Sequence, residues 1–449
     1  MLQLMIAAPR SGSGKTMVTC ALLHTLQRRG LDPCAFKCGP DYIDPMFHRA
    51  VLGVESRNLD LFLSDEAYVR TIFARGCRGH GAAVVEGVMG YYDGLGGTAD
   101  CASAWHIADT LDIPVLLVVR AKGASLTLAA ELRGLAGFRG NSHIVGALLN
   151  ECPPKLYAKL APALEREAGV PVLGCLPPME EARIESRHLG LRTAAELTDL
   201  ARRLDAVSEA LEQYLDWERF ERLFDRGAPH LEPQQMLFQG KKVYIASAYD
   251  KAFNFIYYET LETFRALGAE TVPFSPLEDA ELPIGIGGLF LPGGYPELHA
   301  EALSANESMR KSIKSAVENG LPTVAECGGF LYLGAALCDD AGREHPMSGV
   351  LPGKAANTCH PVRFGYQTLC AESDSLLFRA GERIPAHEFH YWEADDCGDA
   401  LRAEKNGRTW RCGFVSDTLY AAFPHLYFAG RPELAKRFIE AARRYEGDT

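Results

Sequence analysis

The chain has 449 residues, enough for two or three domains that each bury a core. Its 47% hydrophobic and 23% charged residues are the composition of a globular protein and exclude wholesale disorder. A net charge of -12 argues against nucleic acid as a partner, since phosphate backbones need a basic face, but leaves room for a local basic pocket.

In chain order, the first half repeats one unit: a short apolar run, a turn, then an amphipathic stretch. The runs at residues 2–8, 82–86, 114–119, 144–150 and 171–176 are apolar along most of their length, as parallel strands buried on both faces are. Residues 17–29 read as a helix that stops at Gly30. This alternation predicts a doubly wound α/β domain. Residues 197–226 are charged with a helical period, and residues 227–240, with two prolines, read as a linker. A new strand opens at Lys242-Val243-Tyr244, and a second α/β pattern follows, with strands near residues 288–291 and 322–325. The expected division is a P-loop domain over residues 1–200, a helical segment and linker over 201–240, and a second doubly wound α/β domain over 241–449.

The thirteen cysteines are scattered and form no CxxC pair. No basic leader precedes the first apolar run, and no run of 18 apolar residues occurs. A cytoplasmic, reducing location with free thiols is expected, without a signal peptide or a membrane as partner.

The first predicted strand runs into Ala8-Pro9-Arg10-Ser11-Gly12-Ser13-Gly14-Lys15-Thr16 and then into a helix. This is the end of a Walker A loop. Backbone N–H groups of Gly12, Ser13 and Gly14 are expected to wrap phosphates, Lys15 to reach them, and the Thr16 hydroxyl to face Mg²⁺. Pro9 stands where the motif ordinarily has its first glycine. Asn150, ending another predicted strand, joins the candidate nucleotide-binding residues. Carboxylates for Mg-ATP come from Lys37-Cys38-Gly39-Pro40-Asp41-Tyr42-Ile43-Asp44-Pro45 and from Glu86-Gly87-Val88-Met89-Gly90-Tyr91-Tyr92-Asp93-Gly94, both placed where ligands meet strand ends. Asp41 and Glu86 are the candidate metal ligands, Glu86 in the Walker B place; Asp caps of turns are the alternative.

Near the other end, Pro322-Thr323-Val324-Ala325-Glu326-Cys327-Gly328-Gly329-Phe330 runs from strand into helix and has the form of a nucleophile elbow. Ala325 and Gly329 are small, as a tight elbow requires. The helix start is expected to favour a Cys327 thiolate. His425, after an apolar run, is the candidate base. Gly293 and Gly294, at the end of a strand, are the candidate oxyanion hole. His387 and His390 lie in a strand-like alternation, which puts them on opposite faces and argues against a zinc site.

Taken together these motifs, with Ser56-Arg57-Asn58-Leu59-Asp60, Arg187-His188-Leu189-Gly190-Leu191, Leu291-Pro292-Gly293-Gly294-Tyr295-Pro296-Glu297 and His387-Glu388-Phe389-His390-Tyr391, resemble the cobyrinate a,c-diamide synthase family. That family joins a dethiobiotin-synthetase-like ATP domain to a class I glutamine amidotransferase domain, and the resemblance spans essentially the whole chain. It implies glutamine hydrolysis at Cys327 with His425 as base. It also implies ATP-dependent phosphorylation of the a- and c-acetate carboxylates of a corrin ring, each acyl phosphate then being attacked by ammonia. By the same resemblance Asp41, Asp44, Glu86 and Asp93 surround Mg-ATP and the reacting carboxylate, and Tyr42 and Ile43 approach the ring. A homodimer is the family-level expectation.

Two departures stand out. His425 is followed by Leu426-Tyr427 rather than Pro-Glu, so no triad acid is identifiable in sequence, and Arg120 stands where many relatives carry Asp. Two alternatives stay open: the same chemistry on hydrogenobyrinate or nickel sirohydrochlorin, and a non-catalytic P-loop switch.

Overall fold

The computed structural model describes residues 1–180, 194–230 and 240–448. The motif Arg187–Leu191 and most of the expected linker lie outside the described residues. The chain divides into two compact units, Met1–Leu61 with Asp65–Pro233, and Phe62–Ser64 with Gln234–Thr449.

The first unit is built on β1 (Leu2–Ala7), β2 (Pro33–Cys38), β3 (Ser56–Leu59), β4 (Ala82–Glu86), β5 (Val115–Arg120), β6 (Ile144–Asn150) and β7 (Val172–Cys175). Across the sheet they run β3-β2-β4-β1-β5-β6-β7, every pair parallel. All carboxyl ends therefore share one edge, where ligands of doubly wound sheets bind. Alternate residues of one strand feed opposite faces: Leu4 and Ile6 enter one core, Met5 and Ala7 the other. That double burial is why β1, β4, β5 and β6 are apolar along most of their length.

Polar strands escape such a reading. β2 and β3 carry Lys37, Arg57 and Asn58, which interrupt the apolar pattern although all three are buried. The segment expected to be a separate helical piece belongs to the first core. Its helices, Ala194–Tyr214 and Trp217–Phe224, contribute Leu200, Leu204, Val207, Phe220 and Phe224 to the cluster that holds Val18, Leu22 and Leu26. The first helix, α1 (Lys15–Arg28), starts two residues earlier than its periodicity predicts, directly on the phosphate loop.

In the second unit the strands are β8 (Val243–Ala248), β9 (Phe253–Phe255), β10 (Ala269–Phe274), β11 (Gly288–Leu291), β12 (Gly293–Gly294), β13 (Thr323–Glu326), β14 (Ala336–Cys338), β15 (Glu344–Pro346), β16 (Lys354–Ala371), β17 (Arg383–Ala394), β18 (Leu401–Lys405), β19 (Arg408–Cys412), β20 (Phe414–Val415), β21 (Leu419–Ala422) and β22 (His425–Leu426). A six-stranded sheet runs β10-β8-β11-β13-β21-β20, parallel except at β20. Beside it lies a mostly antiparallel sheet around the long β16–β17 pair, with β14 parallel to β16, and β22 joins that sheet by pairing with β17. The chain thus leaves β21 in one sheet and reaches His425 in the other within three residues. The architecture is α/β in both units, as the alternation of elements predicts.

Candidate active sites

The phosphate loop of the first unit leaves β1 and returns as α1. Gly12 and Gly14 hold φ 77° and 97°, a left-handed backbone open to glycine at little cost. A Cβ on Gly14 would overlap the side-chain amide of Asn150. Asn150 Nδ2 donates to the Ser13 carbonyl at 2.9 Å, and the Ser13 hydroxyl donates to the Arg10 carbonyl at 2.9 Å. The amide at 150 therefore braces the loop from β6.

Lys15 and Thr16 point to the end of β4. Lys15 Nζ donates to the Met89 carbonyl at 2.5 Å, and Thr16 Oγ1 donates to Glu86 Oε1 at 2.6 Å. Glu86 is fully buried, and its Oε1 also accepts from Lys37 Nζ at 2.8 Å. Lys37 Nζ donates to Asp44 Oδ2 at 2.5 Å and lies 3.9 Å from Asp41. His48 Nε2 is 3.7 Å from Glu86 Oε2. Lys37, Asp44, His48 and Glu86 of this network are buried, while the Asp41 side chain is 34% exposed. Burial, then Asp44, pushes Glu86 up to about 7. Burial, then Asp44, likewise pushes Asp41 up to about 6. Burial also acts on Asp44, but Lys37 outweighs it and holds that carboxyl below the usual range. Burial and the neighbouring Lys37 lower Lys15 to about 8. Lys37 was not singled out from the sequence; a lysine inside an otherwise apolar strand was the available signal.

Asp41 and Asp93 also serve their own loops. Asp41 Oδ1 accepts the amides of Ile43 and Asp44 at 2.8 and 3.3 Å, opening α2 (Ile43–Leu52) as a turn-capping aspartate does. Asp93 Oδ2 accepts the Gly90 amide at 2.9 Å. Tyr42 is buried at the start of α2 and Ile43 is half-buried beside it. Arg120 turns away to pair with Glu151 at 2.7 Å. Among the described residues no three acidic, histidine or cysteine side chains converge as a closed metal cage. The paired Thr16 hydroxyl and Glu86 carboxylate instead suit a cation that keeps waters and shares phosphate oxygens.

In the second unit Cys327 follows β13 and precedes the short helix Gly328–Leu333. Its backbone sits at φ 47°, ψ -103°, the strained elbow anticipated from the sequence. Neighbours explain the small residues: a Cβ on Gly329 would overlap the Leu291 carbonyl oxygen, and Ala325 is fully buried. The oxyanion candidates adjoin the elbow. The Gly294 nitrogen lies 3.0 Å from where a Cβ on Gly328 would stand. A Cβ on Gly293 would stand 2.5 Å from His425 Cε1 and 3.3 Å from its Nε2. Elbow, glycine pair and histidine are thus packed on one another.

Burial, with Glu297 and Glu388, pushes the Cys327 thiol well up, against a smaller opposing effect of the Gly328 amide. Burial thus opposes the thiolate expected from the helix start, which places the demand on a base. His425 Nδ1 is 3.7 Å from Glu326 Oε2, a neighbour that no local sequence signal indicated. His387 is the register partner of His425 across β17–β22, while His390 lies on the opposite face and bonds Glu388 at 2.7 Å, as alternation along a strand requires.

Comparison with known proteins follows the same division. Residues 4–191 match the CobQ/CobB/MinD/ParA nucleotide binding domain, and residues 244–433 match the CobB/CobQ-like glutamine amidotransferase domain. An ATP-binding P-loop unit and a glutamine amidotransferase unit on one chain define a glutamine-dependent amidating ligase. The chain is 37% identical over 441 residues to the cobyrinate a,c-diamide synthase of Caldanaerobacter subterraneus subsp. tengcongensis, covering 97% of each. It is 39% identical over 446 residues to that of Clostridium tetani, covering 98% of this chain and 100% of the other. To that of a Synechococcus strain it is 36% identical over 451 residues, covering 99% of each. The chain belongs to the cobyrinate a,c-diamide synthase family.

Proposed function

We propose that the protein converts the a- and c-acetate carboxylates of cobyrinate to amides, using ATP and the amide nitrogen of glutamine. The observation that carries this reading is the presence, on one chain, of a braced phosphate loop and a strained cysteine elbow packed against a histidine and two glycines.

In the second unit, Cys327 Sγ attacks the glutamine side-chain carbonyl while His425 removes the thiol proton. The amides at Gly293 and Gly294 face the oxyanion. His425 returns the proton to the leaving nitrogen, ammonia departs, and water hydrolyses the thioester to glutamate. In the first unit, the loop Gly12–Thr16 binds the ATP phosphates, braced by Asn150, and Lys15 neutralises their charge. The substrate carboxylate attacks the γ-phosphorus, giving ADP and an acyl phosphate. Ammonia displaces phosphate from that acyl group and forms the amide. A carboxylate alone lacks a leaving group, which is why the ATP is needed.

Thr16, Glu86 and Asp41 would hold Mg²⁺, which neutralises phosphate charge when bound. The buried Lys37 keeps Asp44 and Glu86 in place at rest. Tyr42 at the cap of α2, Ile43 and Asp44 in its first turn, and Asp93 on the loop after β4 are proposed to meet the ring.

The test is ADP and glutamate release with ATP, Mg²⁺ and glutamine, offering cobyrinate, hydrogenobyrinate or nickel sirohydrochlorin in turn. Diamide formation from cobyrinate alone supports the reading. Diamide from another ring replaces the substrate, and ATP turnover without any amidation overturns the ligase reading in favour of a switch.

A further inference from the structure

The proposed glutaminase site has a cysteine and a histidine, while Leu426 and Tyr427 stand where an acid ordinarily follows the histidine. The structure holds a carboxylate at that imidazole from a different element. Glu326 ends β13, one residue before Cys327, and its side chain and that of His425 are each 3% exposed. Its Oε1 accepts the Leu426 amide at 2.9 Å. Its Oε2 stands 3.7 Å from His425 Nδ1. One oxygen is therefore pinned by the residue after the histidine, and the other is aimed at the ring nitrogen away from Nε2.

We propose that Glu326 is the positioning residue for His425, taking the place of the acid missing after the histidine. This inference rests on the glutaminase reading above. The carboxylate keeps the proton of neutral His425 on Nδ1 and leaves Nε2 to take the thiol proton. It then stabilises the imidazolium so formed. A separation of 3.7 Å exceeds a hydrogen bond, and catalytic contacts of this kind tighten once charge develops. Cys327 follows Glu326 in the chain, so nucleophile and positioning acid are set by one elbow. His387, the register partner of His425, is kept neutral by burial, lowered to about 3. Glu297 and Glu388 act on Cys327, and Lys405 acts on His387.

The test uses the full-length protein with Glu326→Gln and Glu326→Asp. Glutamine at 326 keeps an oxygen for the Leu426 amide, so the fold is preserved while the charge is lost. Glutaminase rates are measured against pH, alongside ADP formation with ammonium replacing glutamine. For Glu326→Gln the glutaminase kcat should fall about 100-fold, at the low end for a proton-transfer device. The acid limb of kcat/KM should move to lower pH, because the imidazolium formed in catalysis loses its counter-charge. The ammonium-dependent rate should stay at the wild-type level, and Glu326→Asp should recover part of the loss. A wild-type kcat and pH limb in Glu326→Gln would overturn the proposal, as would equal losses with glutamine and ammonium. Absence of glutaminase activity from the wild-type protein would instead overturn the reading on which it rests.

Discussion

Asn150 occupies the space that a side chain on Gly14 would need, and its Nδ2 holds the Ser13 carbonyl at 2.9 Å. The phosphate loop is thus shaped from below by β6 as well as by its own glycines. Gly14→Ala should abolish ATP turnover, since it adds a Cβ both at φ 97° and against the Asn150 amide. Asn150→Ala should be milder. Loss of one hydrogen bond costs about 1 kcal/mol, and the KM for ATP should rise about fivefold. Steady-state ATPase kinetics of the two variants check this order.

Cys327→Ser should separate the two activities. Glutamine-dependent amidation should fall at least about 10³-fold, because serine is a far weaker nucleophile without thiol chemistry. Amidation with ammonium as donor should persist near the wild-type rate. A parallel loss of both would place Cys327 in the scaffold.

Gly329→Ala tests the elbow. The added methyl meets the Leu291 carbonyl oxygen, a backbone atom that yields only if the strand shifts. A loss of about 3 kcal/mol of stability is expected in denaturant titration, with glutaminase activity lost as well.

Two buried histidines should weaken the fold in mild acid, opposed by Glu86 and Asp41, whose carboxyls burial raises to about 7 and about 6. Burial lowers His48 to about 4 and His387 to about 3, from an ordinary 6.5. Between those values and 6.5 the unfolded chain binds protons that the folded one refuses. Their stabilisation is therefore complete above pH 6.5 and is lost as pH falls through that window. Going from pH 6.5 to 4.5, denaturant midpoints of His48→Gln and His387→Gln should each rise relative to those of the wild-type protein. An unchanged slope in both variants would contradict this assignment.

What the sequence revealed follows from how local each constraint is. The elbow at residues 325–329 and the loop at 12–16 need particular small or charged residues at fixed offsets, so both are visible without neighbours. β2 and β3 were obscured because Lys37, Arg57 and Asn58 are buried in partnership rather than exposed. Lys37 gains its place only when β2 and β4 are brought side by side with Asp44 and Glu86. Glu326 was invisible for the same reason: its tie to Leu426 closes 100 residues of chain. Burial of Cys327, which pushes its thiol up, comes from packing by distant elements and leaves no local mark in the sequence.

The central claim is that nitrogen released at Cys327 is joined to a carboxylate activated by the P-loop unit. Cobyrinate incubated with ATP, Mg²⁺, amide-¹⁵N glutamine and unlabelled ammonium tests it directly by mass spectrometry. The account predicts a diamide enriched in ¹⁵N at both amides, with ADP formed alongside. ADP formation with no amidated corrin, or a diamide carrying only unlabelled nitrogen, would contradict it.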